Sequence, residues 1–260
     1  VLGDTALAAI GSCGSIYELL VGCGRGIGNG LAIVAARAYG AQDEDLLKRT
    51  VAGSLVIGLV ASLTITAAGF FGLRPLLELL DTPAEILEDA YRYIIIIDLG
   101  VIVMFAYNLC AGLLRAIGNS VMPLVFLLLS SALNVGLDLA FILVFRRGVA
   151  GAAGATVLAQ LVSTIGCFIY AFIRYPVLRL HREDWRITLM DVKRHLARGI
   201  PLGLQFSVLA IGIIVMQGVV VQFDMLDGVM VSSSAQMGFG AANKLFNLTA
   251  TPMNALGTAM

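Results

Sequence analysis

Charge is what this sequence has little of. Asp, Glu, Lys and Arg make up only 13% of its 260 residues, 59% are hydrophobic, and the mean hydropathy is +0.93. A soluble domain spends about a quarter of its residues on these charges to keep its surface wet, so most of this chain must be dissolved in lipid. The 17 basic and 17 acidic residues cancel, which removes the case for a nucleic-acid partner. Four cysteines lie scattered through apolar runs, which excludes a disulfide scaffold and lacks the spacing of a zinc module. The two histidines, His181 and His195, share one basic stretch with no cysteine near them, so no metal is assigned to them. No Ser-His or Cys-His set lies at a common depth, so no enzyme is expected, and no cofactor either. The first residue is Val and no removable signal peptide is evident, so the chain is expected to be a piece of a longer reading frame.

Long apolar runs are abundant. A helix crosses the hydrocarbon with about 20 apolar residues, and seven runs meet that length, approximately 10–36, 50–73, 92–116, 121–145, 151–174, 199–222 and 230–256. They are too long and too uniform for strands of a barrel, whose segments are short and alternate with period two. The expected fold is therefore all-α, a polytopic transmembrane helix bundle. Arg37, Lys48, Arg49, Arg115 and seven basic residues from Arg174 to Arg198 fall on one side of the membrane, against Arg74, Arg92, Arg146 and Arg147 on the other. The excess marks the cytoplasmic side. The acidic connection 75–92, with Glu78, Asp81, Glu85, Glu88 and Asp89, is then an outer loop. Between Arg174 and Arg198 lies the one long polar connection. Its second half, Thr188 to Ala197, sets Leu189, Val192 and Leu196 on one face, the pattern of an interfacial helix.

A weak internal repeat appears at an offset of 224, where Leu2–Ala9 faces Leu226–Ser233, each a short outer turn opening a long helix rich in small residues. The second copy follows the span 199–222, so a span is expected before Val1, in a design of six plus six helices. The division expected is a first lobe over 1–174 lacking its first helix, a cytoplasmic basic linker over 175–198, and the start of a second lobe over 199–260.

Polar side chains at membrane depth are costly and mark functional candidates. In the run 121–145, Ser131, Asn134 and Asp138 recur at intervals of three and four and form one stripe. In the next run Thr156, Gln160 and Thr164 recur every four residues, with Ser163 beside them. Asp138 is seven residues before the outer end near Phe145 and Thr156 five after the outer start near Gly151. At 1.5 Å per residue both sit roughly 8 to 10 Å below one surface, which suggests a shared interior site that hydrates or binds a cation. The amides and hydroxyls could equally be glue between helices. Asp138 is the harder group to explain that way, because a carboxylate removed from water must find a cation or hold a proton.

Further cavity-lining candidates are Asn108, Gln160, Gln205, Lys244 and Asn247. Glu18 and Arg25, seven residues apart, read as a structural pair. Asp98 and Arg115 lie near the ends of their run and are expected to snorkel toward headgroups. Gly22, Gly24, Gly26, Gly28 and Gly30 fit no nucleotide loop. In a helix they set small residues at i, i+4 and i+8, where a neighbouring helix approaches closely. Pro252 predicts a kink in the last run.

Certain segments, in order, resemble a known family. They are Leu2 to Gly11; Ala35 to Ala41 with its loop ending Lys48-Arg49; Leu113-Leu114-Arg115-Ala116-Ile117-Gly118-Asn119-Ser120 followed by Pro123, Asn134 and Asp138; Gly148 to Thr156; and Gly199-Ile200-Pro201. Together they resemble the multidrug and toxic compound extrusion (MATE) family, in its prokaryotic branch related to the DinF-type proteins. The resemblance implies twelve helices in two lobes around a central cavity, of which this chain would hold about seven. It also implies a multi-pass protein of the bacterial inner membrane, most simply a monomer, that exports cationic amphiphilic compounds in exchange for H⁺ or Na⁺. Asn134, Asp138 and Thr156 would belong to the cation site of the first lobe, with Na⁺ as the one metal ion that could bind there. The family's partner aspartate on the first helix has no counterpart in this chain. The glutamate that some members carry in the seventh helix is missing too, since 199–222 offers only Gln205, Gln217 and Gln222. The alternative is a lipid-linked oligosaccharide flippase of the same superfamily, which would call for a cluster of cavity Arg or Lys where only Arg25 and Lys244 lie deep.

Overall fold

Apolar runs longer than a bilayer is thick become helices because only a helix satisfies its own backbone there. The computed structural model describes residues 9–80, 82, 84–223, 225–226, 229–230, 235, 238–243, 245–246 and 249–250. Its helices are α1 (Gly14–Gly40), α2 (Glu44–Leu79), α3 (Ala84–Leu99), α4 (Val101–Ala116), α5 (Val121–Leu139), α6 (Gly148–Arg174) and α7 (Leu189–Phe223). Five of these are long and apolar enough to cross a membrane, and α3 with α4 makes a sixth candidate if the bent pair is one span. The fold is an all-helical bundle. Among the described residues the strands are limited to β1 (Met225–Leu226) and β2 (Val229–Met230), an antiparallel pair. Two compact units divide the chain, Val1–Ala210 and Ile211–Met260.

Local chemistry sets the helix ends. Asp43 accepts the Leu46 amide at 2.9 Å, and Glu44 and Asp45 fill the first turn of α2, where the helix dipole favours negative charge. At the end of α4, Gly118 takes φ +87, its amide bonds the Arg115 carbonyl and the Asn119 amide bonds that of Leu114. This is a Schellman motif, which a glycine in the left-handed region closes without strain. Thr188 and Asp191 cap α7 reciprocally: the Thr188 amide donates to Asp191 Oδ2 at 3.0 Å, and the Asp191 amide donates back to Thr188 Oγ1 at 3.3 Å.

Helix α1 packs most extensively on α4, and α5 on α6. One core cluster gathers Leu31, Leu47, Val51, Leu109, Leu114 and Leu178, and a second gathers Ile16, Leu20, Leu77, Ile94, Ile97 and Val101. Gly22, Gly24, Gly26, Gly28 and Gly30 of α1 are all buried. A Cβ on Gly26 would stand 2.5 Å from the Leu202 carbonyl oxygen, and one on Gly30 2.6 Å from that of Arg198, so α1 and α7 meet backbone to backbone as the spacing predicts.

Three expectations change. The run 92–116 is not one straight helix but breaks at Gly100, where α3 and α4 are bent by 42°. The linker helix expected over Thr188–Ala197 is the first part of α7 and runs on through Pro201 into the span, since proline removes one backbone bond and kinks a helix without having to end it. Asp98 does not snorkel: it is 0% exposed, because α2 covers it, while Arg115 is exposed and donates to Asn29 Oδ1 at 3.2 Å. The repeat of Leu2–Ala9 against Leu226–Ser233 lies largely outside the described residues, as do most of the run 230–256 and the kink at Pro252.

Candidate functional site

The site is built on α5 and α6, antiparallel neighbours joined by a tight turn in which Arg146 and Gly148 take φ 51 and 58. Asn134 Nδ2 donates to Thr156 Oγ1 at 3.2 Å, and Thr156 Oγ1 donates to the Ala152 carbonyl at 3.1 Å. One turn further from the α5–α6 turn, Ser130 Oγ donates to Gln160 Oε1 at 3.2 Å. Thr164 Oγ1 closes the row, with a 2.7 Å bond to the Gln160 carbonyl and a 3.4 Å bond to that of Val103 on α4. The two stripes meet, but one turn out of the expected register: Thr156 pairs with Asn134, and Asp138, expected at the depth of Thr156, lies one turn nearer the α5–α6 turn.

Each step of four residues on α5 is matched by four on α6 in reverse, so the next step sets Asp138 across from Ala152. Asp138 Oδ1 is buried with no hydrogen-bond partner among the described residues, and Asp138 lies within electrostatic reach of Tyr93 on α3. Beyond Asp138, α5 widens into a π-helical segment, Ala140–Val144, a local loosening of the kind that recurs at functional sites. It seats Phe141 on Gly151, whose added Cβ would lie 3.2 Å from Phe141 Cβ. Leu124, Leu128 and Val135 are among the large apolar residues that α5 exposes, as a lipid-facing helix demands.

Not every candidate falls here. Ser131 is exposed, and Ser130 takes its place in the stripe. Its signal was present, since Ser130, Asn134 and Asp138 repeat every four residues just as Thr156, Gln160 and Thr164 do. Asn108 Nδ2 bonds the Met104 carbonyl of its own helix at 2.7 Å, on the seam between α4 and α1. Gln205 is exposed on α7. Glu18 and Arg25 form no ion pair among the described residues; the ion pairs there are Arg74 with Glu78, Arg92 with Glu88, and His181 with Asp184. Lys244 and Asn247 lie outside the described residues. His195 was passed over as part of a basic linker, yet it is 1% exposed, with Nδ1 2.6 Å from the Asp191 carbonyl and Nε2 3.0 Å from that of Thr50.

Comparison with known proteins gives the family and the fold. The family model described as MatE matches residues 1–140. The chain belongs to the MatE family. It is 31% identical, over its whole length, to the probable multidrug resistance protein YpnP of Bacillus subtilis, and covers 56% of that protein. It is 27% identical to the multidrug export protein MepA of Staphylococcus saprophyticus, with 66% of this chain and 38% of that one covered. Among solved structures, an inward-facing multidrug resistance MATE family transporter of the MOP superfamily matches at TM-score 0.86 and 25% identity, covering 99% of this chain and 57% of the other. A MOP superfamily transporter from Pyrococcus furiosus, described as having a binding pocket of reverse polarity that suggests a different function, matches at TM-score 0.87 and 25% identity, with 99% and 56% covered. An outward-facing conformation also scores 0.86, so this part of the MatE fold fits both access states equally well. The chain spans just over half the length of YpnP and of these solved transporters. It is a multi-pass protein of the bacterial inner membrane.

Proposed function

We propose that the whole protein is a secondary active antiporter that exports cationic amphiphilic compounds in exchange for H⁺ or Na⁺, with Asp138 as the coupling carboxylate of its first lobe. The observation that carries this reading is the unpartnered, buried Oδ1 of Asp138 one helical turn from the Asn134 to Thr156 bond. With its amide nitrogen committed to Thr156, Asn134 keeps its own oxygen as an acceptor toward a cation. In the outward-open state Asp138 takes up H⁺ or Na⁺, with Asn134 and Thr156 as neutral oxygen ligands. Neutralising the carboxylate repacks the lobe and lowers its affinity for a cationic substrate, which leaves outward; release of the ion to the cytoplasm restores both charge and affinity. Only such a difference in affinity between the two states couples the fluxes. The multidrug resistance and export names of the relatives support the substrate class. The segments 1–174, 175–198 and 199–260 then serve as first lobe, linker and start of the second lobe.

The test is efflux of a fluorescent cationic dye by the full-length protein in liposomes, under a Na⁺ gradient alone and then a proton gradient alone. One gradient should drive export, and Asp138→Asn should abolish it while the variant still inserts and binds dye. Undiminished efflux by that variant would remove Asp138 from the mechanism.

A further inference from the structure

A second carboxyl group is buried more completely than Asp138 and takes no part in the site above. Asp98 is 0% exposed, and neither carboxylate oxygen has a hydrogen-bond partner among the described residues. The group is pressed against Gly69 of α2 so closely that a Cβ there would strike it. Its backbone is held as well, since Thr66 Oγ1 donates to the Asp98 carbonyl at 3.0 Å. Two residues on, Gly100 forms the 42° break between α3 and α4. A Cβ on Gly100 would collide with the Val157 side chain, and Val157 is the neighbour of Thr156.

No charge from the surrounding elements compensates this carboxyl. Helix α2 carries no titratable residue between Val51 and Arg74, and Arg74 is committed to Glu78 and to the face of Tyr91. Arg92 of α3 pairs with Glu88, and Tyr93 reaches Asp138 and Tyr17. Tyr17 of α1 lies within electrostatic reach of Glu18 and of Arg25. The titratable groups of α6 inside the membrane, Cys167 and Tyr170, lie at its cytoplasmic end. Burial is the one influence on Asp98 that these groups leave.

An unpartnered carboxylate cannot remain charged in a dry seam without a bound cation or a proton. A sodium ion would need further oxygens and room. The Asp98 carbonyl and the Thr66 hydroxyl are committed to each other, and Gly69 fills the space in front of the carboxyl. We propose that Asp98 is a proton-binding site at the hinge between α3 and α4, distinct from Asp138. The proton is held while the seam between α2 and α3 is closed, and it leaves to water only when water enters that seam. Because Gly100 bears on Val157, opening of the hinge acts on the helix that carries Thr156.

The test uses the full-length protein in lipid and reads no transport, so its result is independent of the antiporter reading. Infrared difference spectra should show a protonated carboxyl band that Asp98→Asn removes and Asp138→Asn leaves in place. Hydrogen–deuterium exchange of the segment around Thr66 to Gly69, relative to its intrinsic rate, should rise with pH by up to about tenfold per unit, the slope for loss of one proton. It should be flat in Asp98→Asn. A carboxyl spectrum unchanged by Asp98→Asn overturns the proton site. Exchange without pH dependence in the wild-type protein overturns the hinge linkage, and that measurement does not require the variant to fold.

Discussion

Ser130 Oγ donates to Gln160 Oε1 across 3.2 Å, two turns along α5 from Asp138. With the bond from Asn134 to Thr156 it fixes the register of α5 on α6 and so the place of the carboxylate. Each bond should contribute about 0.6 to 2 kcal/mol. Thr156→Val, which keeps the shape and loses the hydroxyl, should lower thermal stability in detergent by that amount, as should Ser130→Ala. Thr156→Ser should restore most of the loss, and a double-mutant cycle on Asn134 and Thr156 would isolate the pair.

The glycine row of α1 makes a steric prediction. Gly26→Ala and Gly30→Ala place a methyl within about 3 Å of α7 backbone atoms, which side-chain rotation cannot relieve. Each should cost about 1 to 3 kcal/mol. Gly14→Ala has nothing within 4 Å of its new Cβ and should be neutral or gain up to about 1 kcal/mol from helix propensity. Thermal unfolding of the three variants, side by side, checks the contrast.

His195 joins α7 to α2 through carbonyl groups on both sides of its ring. His195→Phe keeps the volume and loses both bonds, at an expected cost of about 1 to 3 kcal/mol. Gly53→Ala should act at the same contact, because its Cβ would stand 2.9 Å from His195 Cε1. Limited proteolysis of the basic stretch 175–188 should quicken in both variants. Unchanged cleavage would mean that the ring does not hold α7 against α2.

Between α4 and α5, Gly118→Ala forces a Cβ into the left-handed region and should cost about 1 to 2 kcal/mol. Asn119 ties the same turn to the end of α6, donating to the Tyr175 hydroxyl at 2.7 Å and accepting the Met122 amide at 3.1 Å. Asn119→Ala should exceed the usual loss of about 1 kcal/mol for a helix cap, measured as a shift in unfolding midpoint.

Periodicity alone exposed the pairing of α5 with α6, since two polar rows flanking one tight turn can only meet. Close approach at Gly26 and Gly30 was readable for a similar reason: small residues every four positions leave a flat helix face. Asp98 and His195 were misjudged because burial depends on which helix lies alongside, and hydropathy of one segment carries no information about its neighbour. The break at Gly100 was hidden for the opposite reason. A single glycine within an unbroken apolar run is tolerated by a straight helix as well as by a bent one.

The bare backbone contact between Gly30 and Gly199 joins residues far apart in the chain. During synthesis at about 5–20 residues per second, α1 enters the bilayer on the order of 10 to 30 s before the part of α7 it touches has been made. Its flat glycine face must meanwhile rest against lipid or a substitute helix. Biogenesis therefore has a vulnerable interval, and insertion factors that shield a bare helix surface would be needed most while the ribosome is still translating α2 to α6.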